Sequence, residues 1–570
     1  MGGSIAGMTV AAYLSKYFKH ITIIENDDVL NEILMKSTDK ELLDYRCNLK
    51  CSSSIGRGSV TQNYQIHVLQ GEGSKILFEL FPNLKNKLLN EYGARICSLK
   101  NNFRFVIGDV LLNKYLTEDL YWFCIDRFTL ETILRRELCL QYNQQQIQWI
   151  SNTKVIQLIV NQSNNSVLGV KCRSKLNSHT QLDFYADFIV DCTGRYSSST
   201  KWLKQHFNLI IPTEQLHVGT DSIHVGGNAA HAPNHNKGFL TTPIRQIKSS
   251  DPNSLGLISN FAVYCINSEY PPNDSYENLL EWVKEYLPID YYLILKSTKL
   301  LSPLLPYRRA FDERKYVELL GRKWPQNYIL VGDSMCVFNP KNGQGMTHAC
   351  RQAQQLNEIF KEKYQLKYIS FIYNRRAASI SEECWLGSIT NDWAVPTLKL
   401  IITDKYGQTK TYKRSQDSTS IYPQPKTPLF MEFLQWYTYW LIKCAAQSGE
   451  LTTAFIHTSI IQDAPNEIQK MEEKAETLKT IFQNKSIDDQ HYQHLWLETF
   501  DYRQHFIKQN ITTDLMEQFP VYSNSSMIKK IATLSGSHFH FRFLTDMEKS
   551  LQYTKQSFCL LDDPIVRYFK

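Results

Sequence analysis

No apolar run approaches the roughly 18 residues needed to cross a membrane, so this 570-residue chain is not expected to carry a spanning helix. It has no Cys-x-x-Cys pair. Its 13 cysteines are odd in number and scattered, which argues against a disulfide framework and for reduced thiols in an intracellular compartment. The first residues lack a basic stretch and a clear cleavage site, so no secretory leader is read. Met1-Gly2 would suit myristoylation, but Ala6 stands where that signal wants Ser or Thr. The expected location is therefore cytoplasmic or peripheral to a membrane. Net charge is +7, small for this length, and implies no nucleic-acid partner. What remains is ordinary globular composition, 43% hydrophobic and 21% charged, long enough for two or three domains.

The most specific stretch runs from Gly332-Asp333 to Pro340-Lys-Asn-Gly343-Gln344-Gly345-Met346. The apolar run Tyr328-Ile-Leu-Val331 before it reads as a buried strand, and Thr347 to Leu356 after it as a helix. An acid thus ends a strand, and a Pro-x-x-Gly-x-Gly loop opens a helix. Bare glycines let backbone N–H groups and the positive helix end approach an electron-rich ligand edge. The carboxylate can accept from sugar-alcohol hydroxyls. A flavin with its ribityl chain needs both.

The chain opens on a second glycine turn, Gly2-Gly3-Ser4-Ile5-Ala6-Gly7. A helix from Met8 to Phe18 and a strand from His20 to Ile24 are expected behind it, ending at Glu25. This is the later part of a dinucleotide-binding β-α-β unit: Gly2 makes the turn, Gly7 lets helix and sheet pack closely, and Glu25 takes ribose hydroxyls. Ser4 fills the middle position, usually Gly. The strand that should precede the turn is absent. A start at the turn would leave an edge of the second strand unpaired, so about 5–10 upstream residues are expected to be missing.

Residues 26 to 56 read as a polar, irregular excursion. A short helix through Leu77 to Phe81 stops at Pro82, and Phe128 to Leu140 carries a helical apolar face after Asp126-Arg127. Residues 147 to 195 alternate like strands around a turn at Asn164-Asn165. Further strands, such as Ile258 to Tyr264, and a helix near Tyr276 to Leu287 fill 205 to 320. His217, His224, His231 and His235 cluster near Asp221 at spacings that fit no familiar metal pattern, so no metal site is read. Phe430, Phe433, Leu434, Tyr437 and Leu441 fall at helical spacing. Core packing accounts for them, while Trp436 and Trp440 offer the alternative of peripheral membrane contact through residues 429–443. Beyond Pro465 no chemical motif is found.

In order, the glycine turn, Glu25, Asp126-Arg127, Asp191-Cys-Thr193-Gly194-Arg195 and the Gly332–Met346 segment resemble the FAD-dependent monooxygenase superfamily with the aromatic-hydroxylase type of fold. They are most similar to its squalene-epoxidase-like branch. Gln62 with His67, Tyr307-Arg308, and Trp385 with Trp393 to Pro396 are lesser points of likeness. The resemblance covers residues 1 to about 465. It implies an α/β fold: a Rossmann-like FAD-binding domain lacking its first strand, an inserted β-sheet substrate domain and a helical C-terminal region. The expected parts are FAD-binding segments at 1–60, 111–204 and 321–375, and a substrate-domain segment or cap at 61–110. An inserted sheet at 205–320, a helical part at 376–465 and an unassigned extension at 466–570 complete the division.

The resemblance also assigns roles. Gly2, Gly3 and Gly7 would hold the pyrophosphate, Glu25 the adenosine ribose, Arg127 the pyrophosphate or ribityl, and Val155 the adenine through its backbone. Asp333 would take the ribityl hydroxyls. Pro340, Gly343, Gln344, Gly345 and Met346 would lie along the isoalloxazine ring. The implied reaction is hydroxylation or epoxidation of an apolar or aromatic small molecule by molecular oxygen, through a flavin hydroperoxide. The cofactor does the hard step, so no acid–base residue is nominated. Thr193 stands where many aromatic hydroxylases have Asp before the glycine. The electron donor is therefore NAD(P)H or a separate reductase. A flavin-linked prenyl-type reductase, a flavin halogenase (whose Trp-x-Trp-x-Ile-Pro signature is missing) and a non-catalytic, FAD-free scaffold are the alternatives.

Overall fold

The computed structural model describes residues 1–427 apart from 49–56, 61, 64, 103–104, 108–109, 119, 178–179, 224–236, 247–255, 267–269 and 415–419, and then scattered positions from 431 to 456. The stretches 224–236, most of 429–443 and everything beyond 456 therefore lie outside the described residues. With them go three of the four expected histidines and most of the proposed membrane-contact segment.

The first helix, α1 (Ile5–Leu14), has no charged residue and is buried along nearly its whole circumference, as a central helix must be. It starts and ends earlier than the expected Met8–Phe18. The strand after it, β1 (Ile21–Ile24), pairs in parallel with Ile147–Ile150. Helix α2 (Arg127–Gln141) begins where Asp126 accepts from the Thr129 N–H at 2.8 Å, an N-cap that fixes its register. A second parallel pair joins β2 (Ile189–Asp191) to Tyr328–Leu330. Between the two pairs lie Met1 and Gly2. Gly2 N–H donates to Ile24 at 2.8 Å, the Met1 ammonium to the Val190 carbonyl at 2.9 Å, and Cys192 N–H to the Met1 carbonyl at 2.8 Å. The chain start thus touches both β1 and β2, where the unpaired strand edge was expected.

Two expectations are corrected. Residues 26–56 are not wholly irregular, since they hold helices Glu32–Lys36 and Asp39–Asn48. The second is started by a reciprocal cap: Thr38 N–H donates to Glu41 Oε2 at 2.7 Å, and Glu41 N–H reaches Thr38 Oγ1 at 3.4 Å. The stretch after 376 is not all helical. Strands Lys399–Thr403 and Thr409–Lys413 form a hairpin, its turn closed by Asp404 and by Gly407 at φ +81°.

The largest sheet runs in the order Lys237–Gln246, Leu257–Cys265, Thr213–Ile223, β3 (Pro306–Lys315) and β4 (Cys336–Val337), and the hairpin pairs onto Thr213–Ile223. Helix α3 (Gly345–Lys361) follows the glycine loop, and the 27-residue α4 (Leu366–Asp392) runs buried beside it. Residues of α1, α2 and α3 share one apolar core that includes Met8, Phe128, Leu134, Met346 and Cys350. Trp385 and Trp393 belong to a second core with Leu216, Cys336 and Phe338.

Candidate functional site

Two helix N-termini meet at one cavity of about 480 Å³. Neither α1, entered from Ser4, nor α3, entered from Gln344, has a side-chain cap or an acid in its first turn. Their first N–H groups are open to a ligand, and both positive ends act on the same space.

Small residues permit this convergence. Gly2 sits at φ +88°, and a Cβ there would come 2.3 Å from the Cys192 carbonyl oxygen. A Cβ on Gly7 would come 1.9 Å from the Gly2 carbonyl oxygen. Gly332, at φ +68°, would place a Cβ in ordinary contact with the methyl groups of Ala6 and Ala349, one from each helix, so its loop packs beside both N-termini.

Of the residues picked from the sequence, Gly2, Glu25, Arg127, Val155, Asp333, Pro340, Gly343, Gln344, Gly345 and Met346 all line this cavity. Gly3 and Gly7 do not. Gly7 packs against Gly2, and Gly3 donates its N–H to Glu25 Oε2 at 2.6 Å. Glu25 is more heavily engaged than expected. Its other oxygen accepts from Asp27 N–H at 2.9 Å and lies 3.2 Å from Arg57.

Arg57 opens a charge cluster that the sequence did not disclose. Its guanidinium is buried and reaches Glu25, Asp27 and, at 2.7 Å, Glu131. Glu131 also takes Arg135 at 2.8 Å and the Ser4 hydroxyl at 2.7 Å. Burial alone would raise the Glu131 carboxyl, but Arg57, Arg135 and Arg127 hold it down, at about 2. Arg127 donates to Ser4 Oγ at 3.3 Å and lies 3.1 Å from His67 Nε2. Its buried Nε has no partner among the described residues, nor does Gln344 Oε1. The signal for part of this cluster was present: Arg127, Glu131 and Arg135 stand at successive i, i+4 positions on α2. Arg57 carried none, because its partners come from two other segments, residues 25–27 and α2.

The opposite wall carries Arg195 and Tyr307, and the guanidinium donates to the phenol oxygen at 2.8 Å. Arg195 also packs 4.8 Å from the Phe311 ring, whose other neighbour is His217, stacked at 4.8 Å. Burial and the charge of Lys399 push the His217 imidazole down to about 4. His217 is thus a packed aromatic partner, and no group of residues able to hold a metal is found among the described residues. His348, one turn into α3, is fully buried against Phe338 and 3.0 Å from the Ser381 hydroxyl. Its imidazole is pushed down to about 3 by burial and the nearby Arg351 and Arg314. No helix among the described residues is long and apolar enough to cross a membrane.

The donor set fits a ligand with an anionic centre, a polyol and a polar ring edge. The open N–H groups and Arg127 Nε serve the anion. Asp333, near the start of α3, serves hydroxyls.

No family model matches the chain. It is similar to Protein Rv3254 of Mycobacterium tuberculosis, with 23% identity over 421 residues that span 69% of this chain and 79% of the relative. Among solved structures it is similar to PqsL of P. aeruginosa in complex with 2-aminobenzoylacetate, with TM-score 0.47, 12% identity, and 69% of this chain and 95% of that one covered. It is also similar to 2-methyl-3-hydroxypyridine-5-carboxylic acid oxygenase (TM-score 0.45, 13% identity, 68% and 88% covered). A third is the flavin-dependent brominase Bmp2 (TM-score 0.43, 10% identity, 69% and 85% covered).

Proposed function

We propose that this chain is an FAD-dependent oxidoreductase that acts as a monooxygenase on an apolar or aromatic small molecule. One observation carries the reading: two uncapped helix N-termini converge on a single cavity that also holds the Asp333 carboxylate. Other helix starts lack a side-chain cap too, as at Leu366–Asp392, but these two face one cavity together with a carboxylate.

In this reading Gly2 and the start of α1 hold the pyrophosphate, aided by Arg127. Glu25 takes the adenosine ribose, and Val155 lies along the adenine. Asp333 takes the ribityl hydroxyls, and Pro340 with Gly343 to Met346 lies along the isoalloxazine. Bound there, FAD would supply the electron storage and oxygen activation that no side chain can. The chain's own residues do the rest. The open end of α3 holds negative charge at the ring edge without reorganising. Phe338 and Met346 line the cavity and help exclude water. Tyr307 and Arg195 give the opposite wall an aromatic and cationic character suited to a flat substrate. With Thr193 before Gly194, the electron donor is NAD(P)H or a separate reductase.

The test is direct. The purified full chain, loaded with FAD, is mixed with NADH or NADPH without oxygen, and bleaching of the flavin bands is followed. Oxygen is then admitted with a panel of aromatic and lipid compounds. Incorporation of an oxygen atom supports the reading. Alkene reduction in the absence of oxygen would replace it with a prenyl-type reductase, and failure to take up FAD would leave a scaffold.

A further inference from the structure

Behind the loop Asn339–Asn342 lie two carboxyl groups that do not line the cavity. Asp312, on β3, and Asp392, the last residue of α4, are both completely buried. Asp312 Oδ1 accepts from the Asn339 N–H at 2.7 Å and from the Ser388 hydroxyl. Lys341 pairs with Asp392 Oδ1, and the Asn339 side-chain amide donates to Asp392 Oδ2 at 3.4 Å. Asn342 donates to Ser388 Oγ at 2.8 Å. Three residues of the loop are thereby fastened to the two carboxyls or to the serine between them.

One oxygen is left over. Asp312 Oδ2 is buried and meets no N–H or O–H donor among the described residues. The Asp392 carboxyl is its neighbour: Asn339 holds both groups, with its N–H on Asp312 Oδ1 and its side-chain amide on Asp392 Oδ2. Two carboxylates cannot satisfy one another, because each only accepts and like charges repel. A single proton between them forms an O–H···O bond and leaves one negative charge to match Lys341.

We propose that Asp312 and Asp392 share one proton, and that this pair locks the Asn339–Asn342 loop in place against the cavity, so that rising pH releases the loop. The link to FAD rests on the function proposed above, whereas the lock is a property of the chain itself. Burial and the facing Asp392 raise the Asp312 carboxyl well above its ordinary range. The groups around the pair come from every neighbouring element. Ser388 and Asp392 belong to α4, and Asn339 and Lys341 to the loop. Cys336 comes from β4, with its thiol raised chiefly by burial. Further along β3, Arg314 is paired with Glu318 and Glu382. Opposite Asp312 on Thr213–Ile223 stands the apolar Leu216. Both carboxyls are positioning residues.

The sign follows from proton binding. Above the ordinary Asp value of 3.8 the unfolded chain releases a proton that the folded pair keeps. The folded state then loses ground as pH rises, by about tenfold in the folding equilibrium per pH unit, until the pair ionises.

The test uses the full chain and two variants. Asp312→Asn puts an amide N–H where the shared proton was and keeps an acceptor for Asn339 and Ser388. Asp312→Ala removes both. Urea denaturation and FAD titration by fluorescence are run from about pH 5 to about pH 9. The wild type should lose stability and FAD affinity with pH relative to Asp312→Asn, which should bind FAD within about threefold of the wild type at the acid end. Asp312→Ala should bind about tenfold more weakly throughout. The lock is overturned if Asp312→Asn loses as much as Asp312→Ala, fails to fold, or keeps the wild-type pH slope. If no form binds FAD, the proposed function fails, while the urea slopes still judge the pair.

Discussion

Replacing Glu131 with Gln keeps its size, removes the charge and turns one accepting oxygen into an N–H donor. Three arginines depend on that charge: Arg57 at 2.7 Å, Arg135 at 2.8 Å and Arg127 at 3.9 Å. All are buried, so water cannot replace the lost partner. Two routes give the cost. Removing one member of a buried ion pair typically destabilises by about 3–5 kcal/mol. Independently, a carboxyl brought from its ordinary 4.5 to about 2 contributes roughly 3 kcal/mol at neutral pH. The lowered value also fixes the pH window. The contribution is complete above 4.5 and is lost as pH falls toward about 2, where wild type and Glu131→Gln should converge. Urea denaturation followed by tryptophan fluorescence, at neutral pH and through the acid range, measures both. A loss below about 1 kcal/mol at neutral pH, or a difference that does not shrink on acidification, would refute the account of the cluster.

Gly7→Ala should cost about 3 kcal/mol or prevent folding, because its Cβ would meet the Gly2 carbonyl oxygen at 1.9 Å. Gly343→Ala, at φ +63° with Val68 no nearer than ordinary contact at 4.0 Å, should cost only about 1 kcal/mol by the same denaturation assay. Asp333→Asn should weaken FAD binding roughly 10- to 100-fold in a fluorescence titration, the loss of a charge-assisted hydrogen bond, with little change in apoprotein stability. His348 is held neutral when folded, so as pH falls from 6.5 toward about 3 only the unfolded chain takes up its proton and stability drops. His348→Gln should flatten that part of the urea-stability profile, and an unchanged slope would remove His348 from the account.

The site was legible where its chemistry is local. The Gly332–Met346 segment holds its glycines, acid and helix start within one stretch, the Gly2–Gly7 turn leads to Glu25 through one helix and strand, and all the residues picked from them except Gly3 and Gly7 line one cavity. What escaped the sequence is assembled across distance. Arg57 joins Glu25, Asp27 and Glu131, and Asp312 meets Asp392 through a sheet–helix contact. No periodicity marks such encounters. Other omissions were readable. Thr38 with Glu41 is a capping-box pattern, and Lys399 to Lys413 alternates around Asp404 and Gly407 as a hairpin does. The polar composition of the first and the helical neighbours of the second obscured them. Gly3 shows the limit of motif transfer: its N–H, expected to face a phosphate, is donated to Glu25.

The central claim is that two open helix ends and Asp333 form an FAD site. Titrating the purified full chain with FAD, and reading bound flavin by absorbance after removal of the excess, tests it most directly. The account predicts one FAD per chain, released on denaturation and bound 10- to 100-fold more weakly by Asp333→Asn, roughly the value of one charge-assisted hydrogen bond. A chain that retains no flavin, or an Asp333→Asn variant that binds it as tightly as the wild type, would contradict it.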